Sequence, residues 1–327
     1  MSQDPGPTVE ALKNGKNIVV LTHVNMDGDA LGSAMGMTIA LKSMGKNAVF
    51  YTEDSVPHYL RYMPKLDWIQ DNWMQVMTNL DTILICDCGD LYRVGPVEKR
   101  IIDHLNILNV DHHASNPLFG RVNLVDETAS STSEICYRVL TQMGYEFDED
   151  VATCLYTGIY SDTSAFQNTN STPESFQICG ELVQAGANPA MIARYLYRQQ
   201  SPGRARLFRL VVPTLEIEPN GRIAGMIVTT EMFRDASADS SSLEGFVEFP
   251  LSIEGVDASY VLRELPHANG RPNRVKGSVR TTEAIDATEV CGHFGGGGHR
   301  RASGFTADGD IETIRKELIE QFHRHLQ

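Results

Sequence analysis

Residues 17–36, "NIVVLTHVNMDGDALGSAMG", decide how this chain is read. An apolar run of strand character (17–22) stops, and within seven residues the chain places His23, Asp27 and Asp29. From Gly28 it enters a stretch of small and apolar residues that reads as a helix closing at Gly45. Three potential metal ligands on one short turn repel each other and are poorly solvated unless something cationic holds them.

Working outward, the same pattern returns. Residues 47–53, 81–89 and 105–113 read as further strands, and 131–143, 148–160 and 173–186 as helices. Strands alternating with helices imply an α/β fold with a parallel sheet, whose ligands gather at the strand carboxyl ends. Polar residues sit at those ends: Asp87 in "ICDCGD" and Asp111–His112–His113 in "VDHH". Asp162, in "GIYSDTSAF", follows an apolar helix-like segment.

The composition shifts near "YRQQSPGRARLF" (197–208), which is polar, basic and interrupted by Pro202 and Gly203. A first domain is therefore expected over 1–196, a linker over 197–209 and a second, smaller α/β domain over 210–327. In the latter, two strands flank the turn "EPNGR", with further strands over 271–282 and 300–307. Helices are expected over 283–294 and 311–326.

Composition limits the function. With 42% hydrophobic and 21% charged residues the chain has material for two globular cores, and no apolar run approaches the roughly 18 residues that span a bilayer. The acidic, proline-bearing start lacks the pattern of a signal peptide, so a cytoplasmic location is expected. The six cysteines form no C-x-x-C pair, and Cys86 and Cys88 beside Asp87 read as buried core thiols. A net charge of −14 argues against coating a long nucleic acid, which needs a basic face. The segment Arg263–Arg301 runs the other way, with seven Lys/Arg against four Asp/Glu, and is the expected helper for any phosphate group.

The acidic and histidine clusters suit two divalent ions, which lie about 3.5–4 Å apart when carboxylates bridge them and imidazoles cap the outer positions. His112 and His113 are adjacent, so their side chains diverge; one can bind a metal while the other faces a substrate. In the run Gly295–Gly298, bare backbone N–H groups can approach a phosphate and form an anion nest. His299, Arg300 and Arg301 follow it directly, and Ser278 and Arg280 lie on a preceding strand.

"HVNMDGDALGS", the aspartate of "ICDCGD", "VDHH" and "YSDTSAF" resemble the four motifs of the DHH phosphoesterase superfamily. "GHFGGGGHRRASGF" (292–305), preceded by "KGSVRT" (276–281), resembles the associated DHHA1 substrate-binding domain. Length resembles the nanoRNase/pAp-phosphatase subgroup more than the longer RecJ exonucleases or the membrane-tethered cyclic di-AMP phosphodiesterases. An inorganic pyrophosphatase of the same superfamily fits less well, because its C-terminal domain lacks the GGGH pattern.

The resemblance implies that His23, Asp27 and Asp87 hold one ion, and Asp29, Asp87, His112 and Asp162 the other, with Asp87 bridging. Asp111 would orient a histidine, and His113 would touch the phosphate or protonate the leaving oxygen. Mn²⁺ suits these ligands best, with Mg²⁺, Co²⁺ and Zn²⁺ left open. Arg280 and His299 would clamp a terminal phosphate with the backbone of Gly296, Gly297 and Gly298, and Ser303 and Arg301 would contribute less. Position 26 is Met where many relatives carry proline, and position 167 is Gln where many carry arginine, which removes one phosphate contact.

The expected substrates are short 5′-phosphorylated oligoribonucleotides and 3′-phosphoadenosine 5′-phosphate (pAp), handled in a cleft between the domains by a homodimer. No membrane and no long duplex is expected as partner. The alternatives are a phosphodiesterase for cyclic di-AMP or linear pApA and, from another class, a nucleotide sensor without catalysis.

Overall fold

Five strands, β1 (Asn17–Leu21), β2 (Asn47–Phe50), β3 (Thr82–Cys86), β4 (Ile107–Asp111) and β5 (Val122–Val125), form one all-parallel sheet in the order β2-β1-β3-β4-β5. β3 and β4 are buried along their whole length, and β1 from its second residue on. Continuous apolar runs are what a parallel strand covered on both faces requires. The computed structural model describes residues 4–76, 79–103, 106–265 and 273–326. It divides into two units, Met1–Gln199 and Gln200–Gln327. Residues 105, 271 and 272, at the starts of two predicted strands, lie outside the described residues.

In the first unit every residue from Gly28 to Leu41 of the Gly28–Ser43 helix is buried. Small residues let it lie between the sheet and the helices Thr132–Met143 and Glu149–Asp162. At Gly32 an added Cβ would fall 2.5 Å from the Cys154 carbonyl oxygen, so the backbones touch where a side chain would separate them. The opposite sheet face packs Val19, Leu21, Ile83 and Ile85 against Trp73, Val94 and Ile101. Each such buried aliphatic side chain stabilises the unit by about 1.5–3 kcal/mol.

The order 2-1-3-4-5 reverses direction between β1 and β3, and the crevice at their carboxyl ends is where doubly wound sheets bind ligands. His23 and Asp27 leave β1 there, Asp87 leaves β3, and Asp111–His113 leave β4.

The second unit is a six-stranded sheet in the order β10-β11-β9-β8-β7-β6. Its strands are β6 (Glu216–Ile217), β7 (Ile223–Val228), β8 (Ala258–Glu264), β9 (Arg274–Thr281), β10 (Gly297–His299) and β11 (Ala302–Asp308). Only the β7–β8 pair is parallel. One face packs Tyr260, Leu262, Val275 and Val279 against Val290, Leu318 and Phe322, which belong to the helices Ala287–Gly292 and Ile311–His325. The other packs Met226, Val228 and Val261 against Leu207, Val211 and Phe246.

Three details differ from the sequence reading. Residues 202–209, expected as linker, belong to a helix, Pro202–Val211, capped by the Ser201 hydroxyl and anchored by buried Leu207 and Val211. Strands β5 and β8 were not expected. No strand was expected at the end of the glycine run, where Gly297–His299 pairs antiparallel to β11.

Candidate metal centre

β1 ends at Leu21, and His23, two residues on, is 6% exposed. Its Nδ1 lies 3.0 Å from the Val24 carbonyl oxygen. A carbonyl only accepts, so Nδ1 carries the proton and Nε2 is the ligating nitrogen, the usual way a protein fixes a metal-binding tautomer. Nε2 stands 3.6 Å from Asp87 Oδ2 and 4.0 Å from Asp27 Oδ2. Asp27 caps the Gly28–Ser43 helix with its other oxygen, which accepts from Asp29 and Ala30 N–H at 3.0 Å. One carboxylate thus serves the helix with Oδ1 and the site with Oδ2.

Asp87 is the centre of the arrangement. It is 2% exposed and takes left-handed backbone geometry, φ +54°, one residue beyond β3. Such a conformation costs an aspartate little more than glycine but is rare, and it clusters at functional sites. His112 Nε2 and His113 Nδ1 both lie 3.7 Å from its Oδ1, and the Thr132 hydroxyl donates to the same oxygen at 3.0 Å. Burial would raise this carboxyl; the closeness of His23 and the charges of His113, His23 and His112 outweigh it and hold it well below the usual carboxylate range.

The sequence-predicted ligands therefore converge. His23, Asp27 and Asp87 each bring a donor atom within 4.8 Å of the others, and Asp87, His112 and His113 do the same, with Asp87 common to both groups. Asp162, the last residue of the Glu149–Asp162 helix, is 3.8 Å from His112 Nε2. A carboxylate at a helix C-terminus meets the negative end of the helix dipole, a position that needs a cation nearby. Burial and the charges of Asp27 and Asp87 push its carboxyl up to about 7, against the pull of His112 and His113.

Asp29 is placed differently. It is 1% exposed, and its two oxygens accept the backbone N–H groups of Thr132 (2.7 Å) and Ser133 (2.9 Å), at the N-terminus of the Thr132–Met143 helix. Burial, with the charges of Asp87 and Asp162, raises its carboxyl well above the ordinary value. Each carboxylate oxygen has two lone pairs, so a cation can share them with these N–H groups. Gly158 makes the room: a Cβ there would stand 2.6 Å from Asp29 Oδ1.

Histidine 113 is in the second ligand group but is tied elsewhere. Its Nδ1 is 2.7 Å from Asp111 Oδ1, and the Asn116 amide donates to Asp111 Oδ2 at 2.6 Å. Asp111 is fully buried and serves to orient His113. Sequence reading did not single out Thr132, Asn116 or Asn170, whose amide donates to Asp162 Oδ2 at 3.1 Å. The one available signal was Ser131-x-x-Glu134, a helix-start pattern that places the Thr132 and Ser133 N–H groups at a helix entrance.

The donor set fits divalent metal. Asp29 and Asp87 are carboxylates crowded away from bulk water, Asp162 is partly exposed beside them, and the ion-pair partners of Asp27, Asp87 and Asp162 are histidines. Without a metal, His23 and His112 supply the compensating charge. Burial would lower both, but the neighbouring aspartates push each up to about 9.

In the second unit, Ser278 and Arg280 share one face of β9, and the register carries that face across Gly304 and Ala302 to Gly297 and His299. Arg280 Nε donates to Glu248 at 2.8 Å. Gly298, at φ +148°, approaches β11 so closely that a Cβ would lie 2.6 Å from the Ala302 carbonyl oxygen, and Gly296 meets the Gly304 carbonyl in the same way. Two expected contributors are turned away. Ser303 pairs with Gly298 on the opposite face, is 5% exposed and donates to the His299 carbonyl at 2.8 Å. Arg301, in the turn between β10 and β11, pairs with Glu283.

Residues 17–159 match the N-terminal domain of the DHH family, and residues 223–324 match the DHHA1 domain. The bifunctional oligoribonuclease and PAP phosphatase NrnA of Thermus thermophilus is 31% identical over 94% of this chain and 90% of its own. The protein of the same description from Bacillus subtilis is 25% identical over 92% and 95%. Among solved structures, an exopolyphosphatase-related protein from Bacteroides fragilis superposes with a TM-score of 0.88 at 28% identity, covering 98% of this chain and 94% of that one. Among the described residues no helix is long and apolar enough to cross a membrane. Both motif sets, in order and over nearly the whole length of these relatives, show that the chain belongs to the DHH family of phosphoesterases, in the branch that carries a DHHA1 domain.

Proposed function

We propose that this chain is a metal-dependent phosphoesterase that cleaves short 5′-phosphorylated oligoribonucleotides to 5′-mononucleotides and converts pAp to AMP. The observation that carries the reading is Asp87, buried among His23, His112 and His113 at a strand end where a second acidic group, Asp162, also converges. The naming of the Thermus thermophilus and Bacillus subtilis relatives supports the substrate pair.

His23, Asp27 and Asp87 would hold one divalent ion, and Asp87, His112, Asp162 and Asp29 a second, with Mn²⁺ the best match to mixed carboxylate and imidazole donors. Such ions supply charge neutralisation at the attacked phosphate and acidify water near neutral pH. Both substrates share a phosphorus bonded to a ribose 3′-oxygen, and that oxygen leaves in each case. His113, its Nδ1 held by Asp111, presents Nε2 to donate the proton that the leaving oxygen needs. The face of β9 and β11 that carries Ser278, Arg280, Gly297 and His299 would anchor the 5′-phosphate. Arg301 and Ser303 are left out of that anchor.

The test is turnover of linear pApA, pAp and cyclic di-AMP by the purified protein with Mn²⁺, beside Asp87→Ala. AMP from pApA and pAp, lost in the variant, is the expected result. Turnover of the cyclic dinucleotide alone would mean a signalling phosphodiesterase instead. No product from any of the three with metal bound would leave a nucleotide sensor.

A further inference from the structure

Lys276, Ser278 and Arg280 alternate on one face of β9, and across the antiparallel register Arg263 of β8 stands directly opposite Lys276. Like charges opposed in this way destabilise a strand pair, so the position calls for a counter-charge. Part of the face is covered by the chain between β7 and β8, where Phe233 and Phe246 pack with Val261. At the edge of that cover lies a cavity of about 120 Å³ walled by Arg263, Lys276, Ser278 and Arg280. One water needs only some 10–15 Å³, so the space takes a group of several atoms.

Arg263 is the telling member. Its Nε is buried and has no hydrogen-bond partner, while its guanidinium sits 5.8 Å from the centre of the Phe233 ring. An orphaned guanidinium N–H is costly, and a bidentate oxyanion is what its fork matches. Arg280, in contrast, is already paired with Glu248. Glu244 is the acidic member of the wall, leaving two cations against one carboxylate once the Arg280–Glu248 pair is set aside.

We propose that this cavity extends the 5′-phosphate anchor of β9, with Arg263 and Lys276 joining the Ser278 hydroxyl and Arg280 around that one phosphate. The identity of the nucleotide rests on the function proposed above; the oxyanion chemistry of the cavity does not. Arg263 and Lys276 thereby become substrate-positioning residues on a face where the motif pattern had marked only Ser278 and Arg280.

The experiment uses the full chain and the variants Arg263→Met, Lys276→Met, Arg263→Lys and Glu244→Gln. Calorimetric titration of EDTA-treated protein with pAp and with inorganic phosphate reads the subsite without the metals, and steady-state turnover of pApA with Mn²⁺ reads it in action. Arg263→Met and Lys276→Met should each weaken pAp about tenfold or more and raise KM for pApA by a similar factor, with kcat within twofold. Glu244→Gln should tighten pAp, a direction that a folding defect cannot imitate, and Arg263→Lys should recover part of the loss. Unchanged Kd and KM in both Met variants would overturn the proposal, as would a Glu244→Gln variant that binds as weakly as they do. If the wild type turns over none of the nucleotides, the proposed function fails by itself. Inorganic phosphate then decides the subsite: binding lost in Arg263→Met upholds it, and binding absent from the wild type or equal in the variant overturns it.

Discussion

His113 Nδ1 lies 2.7 Å from Asp111 Oδ1, while the other Asp111 oxygen accepts from the Asn116 amide at 2.6 Å. Both oxygens therefore face donors, and an Asp111→Asn amide cannot satisfy the two together. Whichever way it turns, its NH₂ opposes either Asn116 or His113 Nδ1. The imidazole then loses its fixed tautomer, and with it the orientation of Nε2. Asp111→Asn should lower kcat on pApA by about 100-fold or more, the usual worth of a positioned acid–base group. Metal content by elemental analysis should stay at the wild-type value, since Asp111 touches neither His23 nor Asp87.

Thr132→Val keeps the shape of the side chain and the backbone N–H given to Asp29, and removes only the hydroxyl on Asp87. Groups that support metal ligands in this way typically carry 10–100-fold of affinity. The expected outcome is a weaker Kd for Mn²⁺ by about tenfold, read by calorimetry, with a melting temperature close to that of the wild type.

Much of this site was legible because β1 and β3 carry apolar runs that stop abruptly before ligand residues, and β4, broken only by Asn109, ends in Asp111 and the two histidines. What stayed hidden has a physical reason in each case. Val122–Val125 is a four-residue edge strand with a polar residue in its middle, too short for a period to show. The helix Pro202–Val211 looks like a linker because three arginines crowd its short sequence; the Ser201–Pro202 pair, a common helix start, was the better signal. Asp29 finds its partners Thr132 and Ser133 more than one hundred positions along the chain, and no local pattern reports such a contact. In the second unit, the strand alternation that puts Ser278 and Arg280 on one face also sends Ser303 to the other, which motif resemblance alone does not reveal.

Gly298→Ala isolates the hairpin of the second unit. The backbone there is at φ +148°, where a side chain is strained, and its Cβ would meet the Ala302 carbonyl. The cost is about 1–3 kcal/mol of local distortion. KM for pApA should rise several-fold, whereas Mn²⁺ affinity, set in the first unit, should not move.

Metal removal should change how stability depends on pH. In the metal-free chain His23 and His112 have folded pKa values of about 9, above the ordinary 6.5. A raised pKa gives stability that is complete below about 6.5 and is lost as pH climbs through 9. Asp162, raised to about 7, acts in the same direction from about 4 upward. The EDTA-treated protein should therefore melt at steadily lower temperature between pH 6 and 9. A bound cation replaces those protons, so the Mn²⁺-loaded protein should show a flatter profile and the gap between the two should widen with pH. Proton release on Mn²⁺ binding, measured by calorimetry in buffers of different ionisation enthalpy, checks the same point; binding without proton release would contradict it.

Arg138 supports the entrance of the helix that receives Asp29. Its guanidinium bonds Asp126 at 2.7 Å and Glu174 at 2.9 Å, and also Glu134, one turn earlier in its own helix. Asp126 is 4% exposed and Glu134 1%, so neither finds water if the cation is removed. Breaking a buried pair from one side costs about 3–5 kcal/mol, because the remaining carboxylate is stranded. Arg138→Ala should lose that much stability in denaturant unfolding, and Arg138→Lys should lose most of it too, since one ammonium cannot serve three carboxylates at fixed angles. The Asp126 carboxyl shows the coupling. Burial would raise it, yet the hydrogen bonds from Thr128 and Arg138 hold it below its ordinary value. Its contribution is thus complete above about pH 4 and disappears as pH falls through the lowered pKa, so the wild type should lose stability toward acid more steeply than Arg138→Ala does. Equal acid slopes in the two proteins would show that the Arg138–Asp126 pair adds nothing to the fold.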